Sequence, residues 1–420
     1  MGAHLLFVGG EDHNLRIPFM TALRSRGYRI TAAASGDPAP FRRAALEYHQ
    51  FEFNRFWDLR SDWRTKRTLA RLLTDIDADI AHSFDTKLSL LVPYVAQANS
   101  RTRIVRTING RGWTFSSKSP AAMALRALYR PLQRKAALAT AATVFEHRGD
   151  QAFFERNRLL GASESVRIGG AGIDVAGFEE AQKVGRSAES LRKELGLVGS
   201  EVVTTVTRVT RQKGIPDLLK AAALVHRERP RVKFLLVGPR ESEGPFAITD
   251  AELRPHSDYV LPIGPRTDVP SLLAMSDIFA FPSTYAEGVP RALMEAALCG
   301  LPIVATDLPG CREVIRNGWN GYLSPGHDPR ALAKRILDML ADCAESARVG
   351  ARGPEIVRSV FSLDEVVGRH AELYERLLRR WPPAPGEESA FAAPRSPSSS
   401  SSLGPAELVH RQVLRPGDMR

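Results

Sequence analysis

The stretch EVVTTVTRVTRQKGIPDLLKAAALVHRERPRVKFLLVG, residues 201–238, decides the fold. Val202 to Thr207 and Lys233 to Val237 read as strands, and Ile215 to Arg227 between them reads as a helix with Pro216 in its first turn. Strand, helix, strand in this order is a βα unit, which needs a parallel sheet. The alternation continues downstream through Tyr259 to Leu261, a helix Val269 to Met275, Ile278 to Phe281, a helix from about Arg291 to Cys299, Ile303 to Thr306 and a long helix Pro329 to Leu340. Upstream it runs through His4 to Val8, a helix Arg16 to Arg26, Tyr28 to Ala34, Ile80 to His82, a helix Lys87 to Ala98, Ile104 to Thr107, Thr143 to Phe145 and Val166 to Ile168. The expected class is α/β, with two doubly wound domains in tandem.

The boundaries follow from composition. Residues 1–180 form the first domain, the polar stretch 181–200 reads as a linker, and 201–362 form the second domain. A last helix covers 363–381. From Trp381-Pro382-Pro383 onward the chain is Ser/Pro-rich, including Ser398 to Ser402, and 382–420 reads as a disordered tail because such composition buries too little apolar surface. At 420 residues, the chain is long enough for two cores. Cys299, Cys311 and Cys343 are an odd number without metal-ligand spacing, so a disulfide scaffold and structural zinc are both disfavoured and a reducing compartment is expected. No window reaches the roughly 18 apolar residues of a spanning helix, and the first residues do not read as an export signal. Against 47 acidic residues stand 58 basic ones, a net charge of +11 that lies mainly in the first 180 residues. That sign suits an anionic partner: a phosphate-bearing substrate, nucleic acid or anionic lipid.

Open α/β sheets bind ligands beyond the carboxyl ends of their strands, so the strand-to-helix loops carry the chemistry. In FPSTYAEGVPRALME (281–295) a strand runs into a loop and a helix leaves it, with Pro290 suited to the helix start. Gly288 and Val289 offer backbone N–H groups at a positive helix mouth, a site for a pyrophosphate. Glu295, roughly 7 Å inside that helix at 1.5 Å per residue, is placed for sugar hydroxyls rather than phosphate, and Glu287 stands at the loop tip. The turn after Val202 to Thr207 carries Arg208 and Lys213 before Gly214, two cations able to stabilise a departing diphosphate. A third segment, Ala305 to Ile315, again follows an apolar strand.

These pieces together resemble glycosyltransferase family 4, retaining enzymes that use sugar nucleotides and have two facing Rossmann-like domains, the GT-B fold. The resemblance rests on RVTRQKG (208–214), IGPRTDVPSLLAMSDIFAFPS (263–283), EGVPRALMEA (287–296), ATDLPGCREVI (305–315) and NGYLSPGHD (320–328). The first half matches more loosely, through LLFVGG (5–10), AHSFDTKLSLL (81–91), TINGRGWTF (107–115) and GGAGIDVAGF (169–178). Its style is that of the polysaccharide and lipid-linked oligosaccharide branch.

The resemblance implies that Arg208 and Lys213 bind the donor diphosphate and that Glu287 meets the transferred sugar near its reacting carbon. It also implies that Glu295 holds the ribose, that backbone at Gly288 and Val289 meets sugar or phosphate, and that Ile263 to Arg266, with Gly264, lies against the base. Gly9 and Gly10 would let the first loop approach the donor closely. No metal and no cofactor are implied; the donor is a nucleotide sugar, with uridine the expected base. Where many members carry Thr-x-His-Gly, this chain has Thr107-Ile108-Asn109-Gly110, and Asn109 can hydrogen-bond a sugar but carries no charge. Asn109, His82 and His147, at strand ends, are assigned to the acceptor side. The helix Ala121 to Ala139 sets Arg126, Arg130 and Arg134 beside Met123, Leu125 and Leu128, with Pro131 expected to kink it. The implied acceptor is a glycan or polyprenyl-diphosphate-linked saccharide. The implied location is the cytoplasm, peripheral on the inner face of the plasma membrane.

Competing readings are weaker. A glycoside hydrolase built on Glu287 and Glu295 would not need the Arg208/Lys213 turn. A nicotinamide enzyme lacks its glycine fingerprint after the first strand, where the chain reads Val8-Gly9-Gly10-Glu11. A phosphorylase would need a lysine marked for pyridoxal chemistry. An inactive transferase-like scaffold, binding nucleotide or anionic membrane, need not retain Arg208, Lys213, Glu287 and Glu295. No nucleic-acid motif is present, and nucleic acid is not an expected partner.

Overall fold

The computed structural model describes residues 2–54, 58–96, 102–116, 119–240, 244 and 246–379. The proposed tail, 382–420, lies outside the described residues. Seven strands form one sheet: β1 His4–Val8, β2 Arg29–Ala34, β3 Glu47–Gln50, β4 Ile80–Ser83, β5 Arg103–Ile108, β6 Ala142–Phe145 and β7 Glu164–Arg167. Six form another: β8 Glu201–Val206, β9 Val232–Val237, β10 Val260–Gly264, β11 Ile278–Phe281, β12 Ile303–Thr306 and β13 Tyr322–Ser324. The orders are β3-β2-β1-β4-β5-β6-β7 and β10-β9-β8-β11-β12-β13. Every pairing is parallel, with registers such as Leu5↔Ile80 and Ile278↔Val203.

Each order reverses once, between β1 and β4 in the first sheet and between β8 and β11 in the second. Helices leaving adjacent strands there pass to opposite faces of the sheet, which opens a crevice at the strands' carboxyl ends. Four loops, those after β1, β4, β8 and β11, therefore border the two crevices.

Parallel strands covered on both faces are predominantly apolar. Val203, Phe234 and Leu236 pack with Ile215, Leu218, Leu219, Ala222 and Val225 of the helix Ile215–Glu228 on one face of the second sheet. Leu293, Met294 and Ala297 pack with Phe279, Phe281 and Ile303 on the other.

Two features add to the sequence reading. Residues read as a linker hold the helix Ala188–Glu194, whose Leu191 is buried with Leu197, Val202 and Leu235. The last helix, Leu363–Arg379, lays Val366, Val367, Leu373, Tyr374 and Leu377 into the core of the first sheet beside Leu5, Phe7 and Ile80. At about 1.5–3 kcal/mol for each large buried side chain, that face anchors the helix to the first sheet. The crossover is pinned where Ile173 N donates to Phe361 O at 2.9 Å and Leu363 N to Ile173 O at 2.8 Å.

Candidate active site

The loops after β8 and β11 meet at the second sheet's switch point. Gly214, with φ +71, closes the first of them, and a β-carbon there would lie 1.9 Å from Pro282 O, so only glycine lets the two loops touch. The contact brings Lys213 Nζ to Glu287 Oε2 at 2.5 Å, while Ser283 Oγ donates to Glu287 Oε1 at 2.7 Å. Lys213 also lies 5.8 Å from the centre of the Tyr285 ring. Both charges are mostly buried, with 10% and 21% of their side chains exposed, so their interaction is screened far less than a surface pair's. Arg208 sits half-buried in the same loop.

Pro290 is the N-cap of the helix Arg291–Leu298 rather than its first residue. Gly310 packs under the loop, since a β-carbon on it would lie 1.9 Å from Gly288 O. Glu295 is engaged by Arg291, whose Nε donates to its Oε1 at 2.8 Å.

A cleft of about 250 Å³ opens beside this loop, lined from the second sheet by Glu287, Gly288, Val289 and Met294 and from the first by Asp12, Arg16, Asp85, Asn109 and Glu146. The carboxyl ends of both sheets thus face one space.

The most informative contact crosses it. Glu146, next after β6, accepts a hydrogen bond from Val289 N at 3.0 Å. A β-carbon at Gly288 would fall 1.8 Å from Glu146 Oε2 and 3.3 Å from the α-carbon of Asn109. Burial pushes the Glu146 carboxyl above its ordinary range, against the opposing pull of Arg16 and the Val289 amide. The Arg16 guanidinium lies 4.0 Å from Glu146 Oε1 and 3.9 Å from the centre of the Phe84 ring. Asp85 Oδ2 accepts from Gly10 N at 2.7 Å, and burial raises its carboxyl as well. Further contacts span the lobes: Gly112 N to Ala286 O at 3.1 Å and Arg148 N to Glu313 Oε1 at 2.8 Å.

The residues singled out from sequence thus fall into groups. Glu287, Gly288, Val289 and Asn109 line the cleft, and Lys213 touches Glu287. Gly9 and Gly10 end β1 at its edge; a β-carbon on Gly9 would strike the His13 ring at 2.0 Å. Gly264, with φ +73, lines a separate cavity of about 340 Å³ with Val209, Gly238 and Arg240. Arg266 is held by Asp268, at 2.8 and 2.6 Å, and by Glu194 at 3.6 Å.

The two histidines do not reach the cleft. His82 is buried in the first sheet's core, its ring nitrogens 2.7 Å from Tyr374 Oη and 2.7 Å from Thr107 Oγ1. Burial lowers its pKa well below the ordinary value. His147 is a buried N-cap whose Nδ1 accepts from Asp150 N at 3.1 Å. The cleft wall of the first lobe is instead lined by Glu146, Arg16 and Asp85, beside Asn109. Glu146 directly follows the buried strand β6 and Asp85 stands just past β4, whereas Arg16 lies at the end of a short helix well beyond β1.

The fold and site define a two-lobed sugar-transferring enzyme. Residues 187–355 match the family described as glycosyl transferases group 1, and residues 19–150 match Glycosyltransferase Family 4. The two stretches take in more than half of the chain, which belongs to the family-4 glycosyltransferases. It is 25% identical over 384 residues, 89% of this chain and 98% of the other, to N,N'-diacetylbacillosaminyl-diphospho-undecaprenol alpha-1,3-N-acetylgalactosaminyltransferase of Campylobacter jejuni. It is 26% identical to N-acetyl-alpha-D-glucosaminyl L-malate synthase of Bacillus anthracis, over 85% of this chain and 91% of that one. Among solved structures, HepE of Anabaena in complex with UDP superimposes with a TM-score of 0.71 at 20% identity, over 90% of this chain and all (100%) of that one, and shares the GT-B fold.

Proposed function

We propose that this glycosyltransferase moves a hexosyl or N-acetylhexosaminyl group, with retention of anomeric configuration, from a uridine diphosphate donor to a glycan or polyprenyl-diphosphate-linked saccharide. The observation that carries the reading is the Lys213–Glu287–Ser283 constellation at the mouth of the helix Arg291–Leu298. Lys213 and Arg208 would neutralise charge developing on the departing diphosphate, the largest electrostatic demand of the reaction. Glu287 accepts hydrogen bonds from sugar hydroxyls, and the Gly288 and Val289 amides face the same ligand. These fixed cations and amides supply the neutralising charge without a metal. Glu295 is close enough to the helix start to hold the ribose once Arg291 yields.

The acceptor class follows the Campylobacter relative, whose name gives an undecaprenol-linked substrate. Peripheral membrane attachment is supported by the surface of the first lobe. Among the described residues, no helix is long and apolar enough to cross a membrane. The helices Leu59–Ile76 and Pro120–Ala137 expose Trp63, Met123 and Leu128 among Arg60, Arg64, Arg67 and Arg130. Lys66 and Lys135 flank one Tyr94 ring, at 5.7 and 5.1 Å, so the two helices form one surface. Basic residues around exposed apolar ones suit an anionic bilayer. Two arginines of the expected stripe are occupied: Arg126 binds Thr114 O and Phe115 O, and Arg134 binds Asn157 O. Pro131 lies inside an unbroken helix.

A panel of uridine and guanosine diphosphate sugars tests the donor reading by thermal shift, because a ligand that binds only the folded state raises apparent stability. NMR of the product's anomeric proton then reads the stereochemistry. Stabilisation by a uridine sugar and an α-linked product from an α-linked donor are expected; an inverted product would refute retention.

A further inference from the structure

The amides at Gly288 and Val289, where the proposed function seats the transferred sugar, already meet a carboxylate from the opposite lobe. Glu146 Oε2 accepts from Val289 N at 3.0 Å and fills the space a side chain at 288 would need. A sugar entering there displaces this bond and lies directly against Glu146.

The charges around it are settled. Of the cations that line or adjoin the cleft, Arg16 stands against Glu146, Arg291 is held by Glu295, and Lys213 by Glu287. Facing the same space are Asp12, Asp85 and Glu287. Asn109 Oδ1 is buried in this wall without a hydrogen-bond partner among the described residues. The wall therefore offers one unpaired acceptor, Asn109 Oδ1, among carboxylates with lone pairs left for further donors. A sugar rich in hydroxyl or amide N–H groups supplies them, and hydrogen bonds to a carboxylate are about twice as strong as neutral ones. A sugar carrying its own carboxylate would set two like charges together where water is scarce, a juxtaposition that costs several kcal/mol.

We infer that Glu146 is a specificity-determining residue of the donor-sugar subsite, selecting neutral hexoses or N-acetylhexosamines and rejecting hexuronic acids. The inference rests on the proposed donor site. It goes beyond that proposal in naming the residue of the facing lobe that chooses the sugar and the class of sugar it rejects.

Matched pairs on one nucleotide test it: UDP-glucose against UDP-glucuronate, and GDP-mannose against GDP-mannuronate, by calorimetry and by donor hydrolysis. The wild-type protein is expected to favour the neutral member by on the order of a hundredfold. Glu146→Gln keeps an oxygen for the Val289 amide but removes the charge, and is expected to reduce that preference at least tenfold. Equal binding of both members by the wild type, a measurement that needs no variant, overturns the inference. So does a preference that survives Glu146→Gln unchanged. If no nucleotide sugar of either kind binds, the donor-site reading itself falls and this inference with it.

Discussion

Replacing Gly288 by alanine is the sharpest probe of how the two lobes meet. Its β-carbon would sit 1.8 Å from Glu146 Oε2 and 2.8 Å from Glu146 Cδ, distances no packed structure tolerates. Relief requires the carboxylate to leave the Val289 amide. Overpacking of this kind costs about 1–3 kcal/mol, and a hydrogen bond to a charged group contributes about 1.5–3 kcal/mol. Moving the carboxylate relieves the clash, so the two costs overlap rather than add, and Gly288→Ala should destabilise the protein by roughly 2–3 kcal/mol, or about 4–6 °C in melting temperature at about 2 °C per kcal/mol for a long chain. Donor hydrolysis should fall with it. The structure further predicts that Glu146→Ala removes the obstacle, making the Asn109 α-carbon, 3.3 Å away, the next contact. In that background Gly288→Ala should cost less than about 1 kcal/mol, a coupling well above the roughly 0.5 kcal/mol seen between independent sites. Calorimetric melts of the four proteins give the cycle. An equal cost in both backgrounds would mean that the lobes do not meet through Glu146, and the reasoning fails.

Lys213→Ala should lower donor turnover by roughly 10²–10³-fold, as loss of one preorganised charge-stabilising group does, and a change under threefold in steady-state rate would exclude Lys213 from that role. Gly310→Ala should abolish donor binding irrespective of residue 146, because its β-carbon meets the main-chain oxygen of Gly288 at 1.9 Å; rescue by Glu146→Ala would contradict this. His370 is buried with its pKa lowered to about 4, so the unfolded chain binds more protons between that value and 6.5 and acid destabilises the fold. Relative to His370→Gln, the wild type should lose on average about 1.2 kcal/mol per pH unit from pH 6 to 4.5 in denaturant titrations, and parallel curves would refute the assignment.

The architecture was legible because parallel strands buried on both faces are mostly apolar or β-branched: Ile278 to Phe281 is wholly apolar, and Val202 to Thr207 mixes valine with threonines whose buried hydroxyls are hydrogen-bonded. The edge strand Glu47–Gln50 was not, since EYHQ is half-exposed and carries no apolar run. The helix Leu59–Ile76 is hidden for a related reason: its buried stripe, Leu69 and Leu73, is narrow within a polar sequence. In the site, Lys213 and Glu287 could be paired from sequence because each lies a few residues beyond a strand end at the same switch point. His82 was misread by the same rule. As an internal residue of β4 its side chain follows the strand's alternation, which turns it toward Tyr374 in the core. Arg16 had no strand-end signal, and the contact of Glu146 with Val289 arises from the approach of the two lobes, which no spacing within the chain encodes.

The loops after β8 and β11 are held to clasp a sugar nucleotide against the facing lobe, and a crystal structure with an intact donor analogue tests this most directly. The expected result is a diphosphate in hydrogen-bonding contact with Lys213 and Arg208, and a sugar ring on the amides of Gly288 and Val289 with Glu146 displaced from Val289. A donor bound elsewhere, with the Glu146–Val289 and Lys213–Glu287 contacts undisturbed, would contradict it.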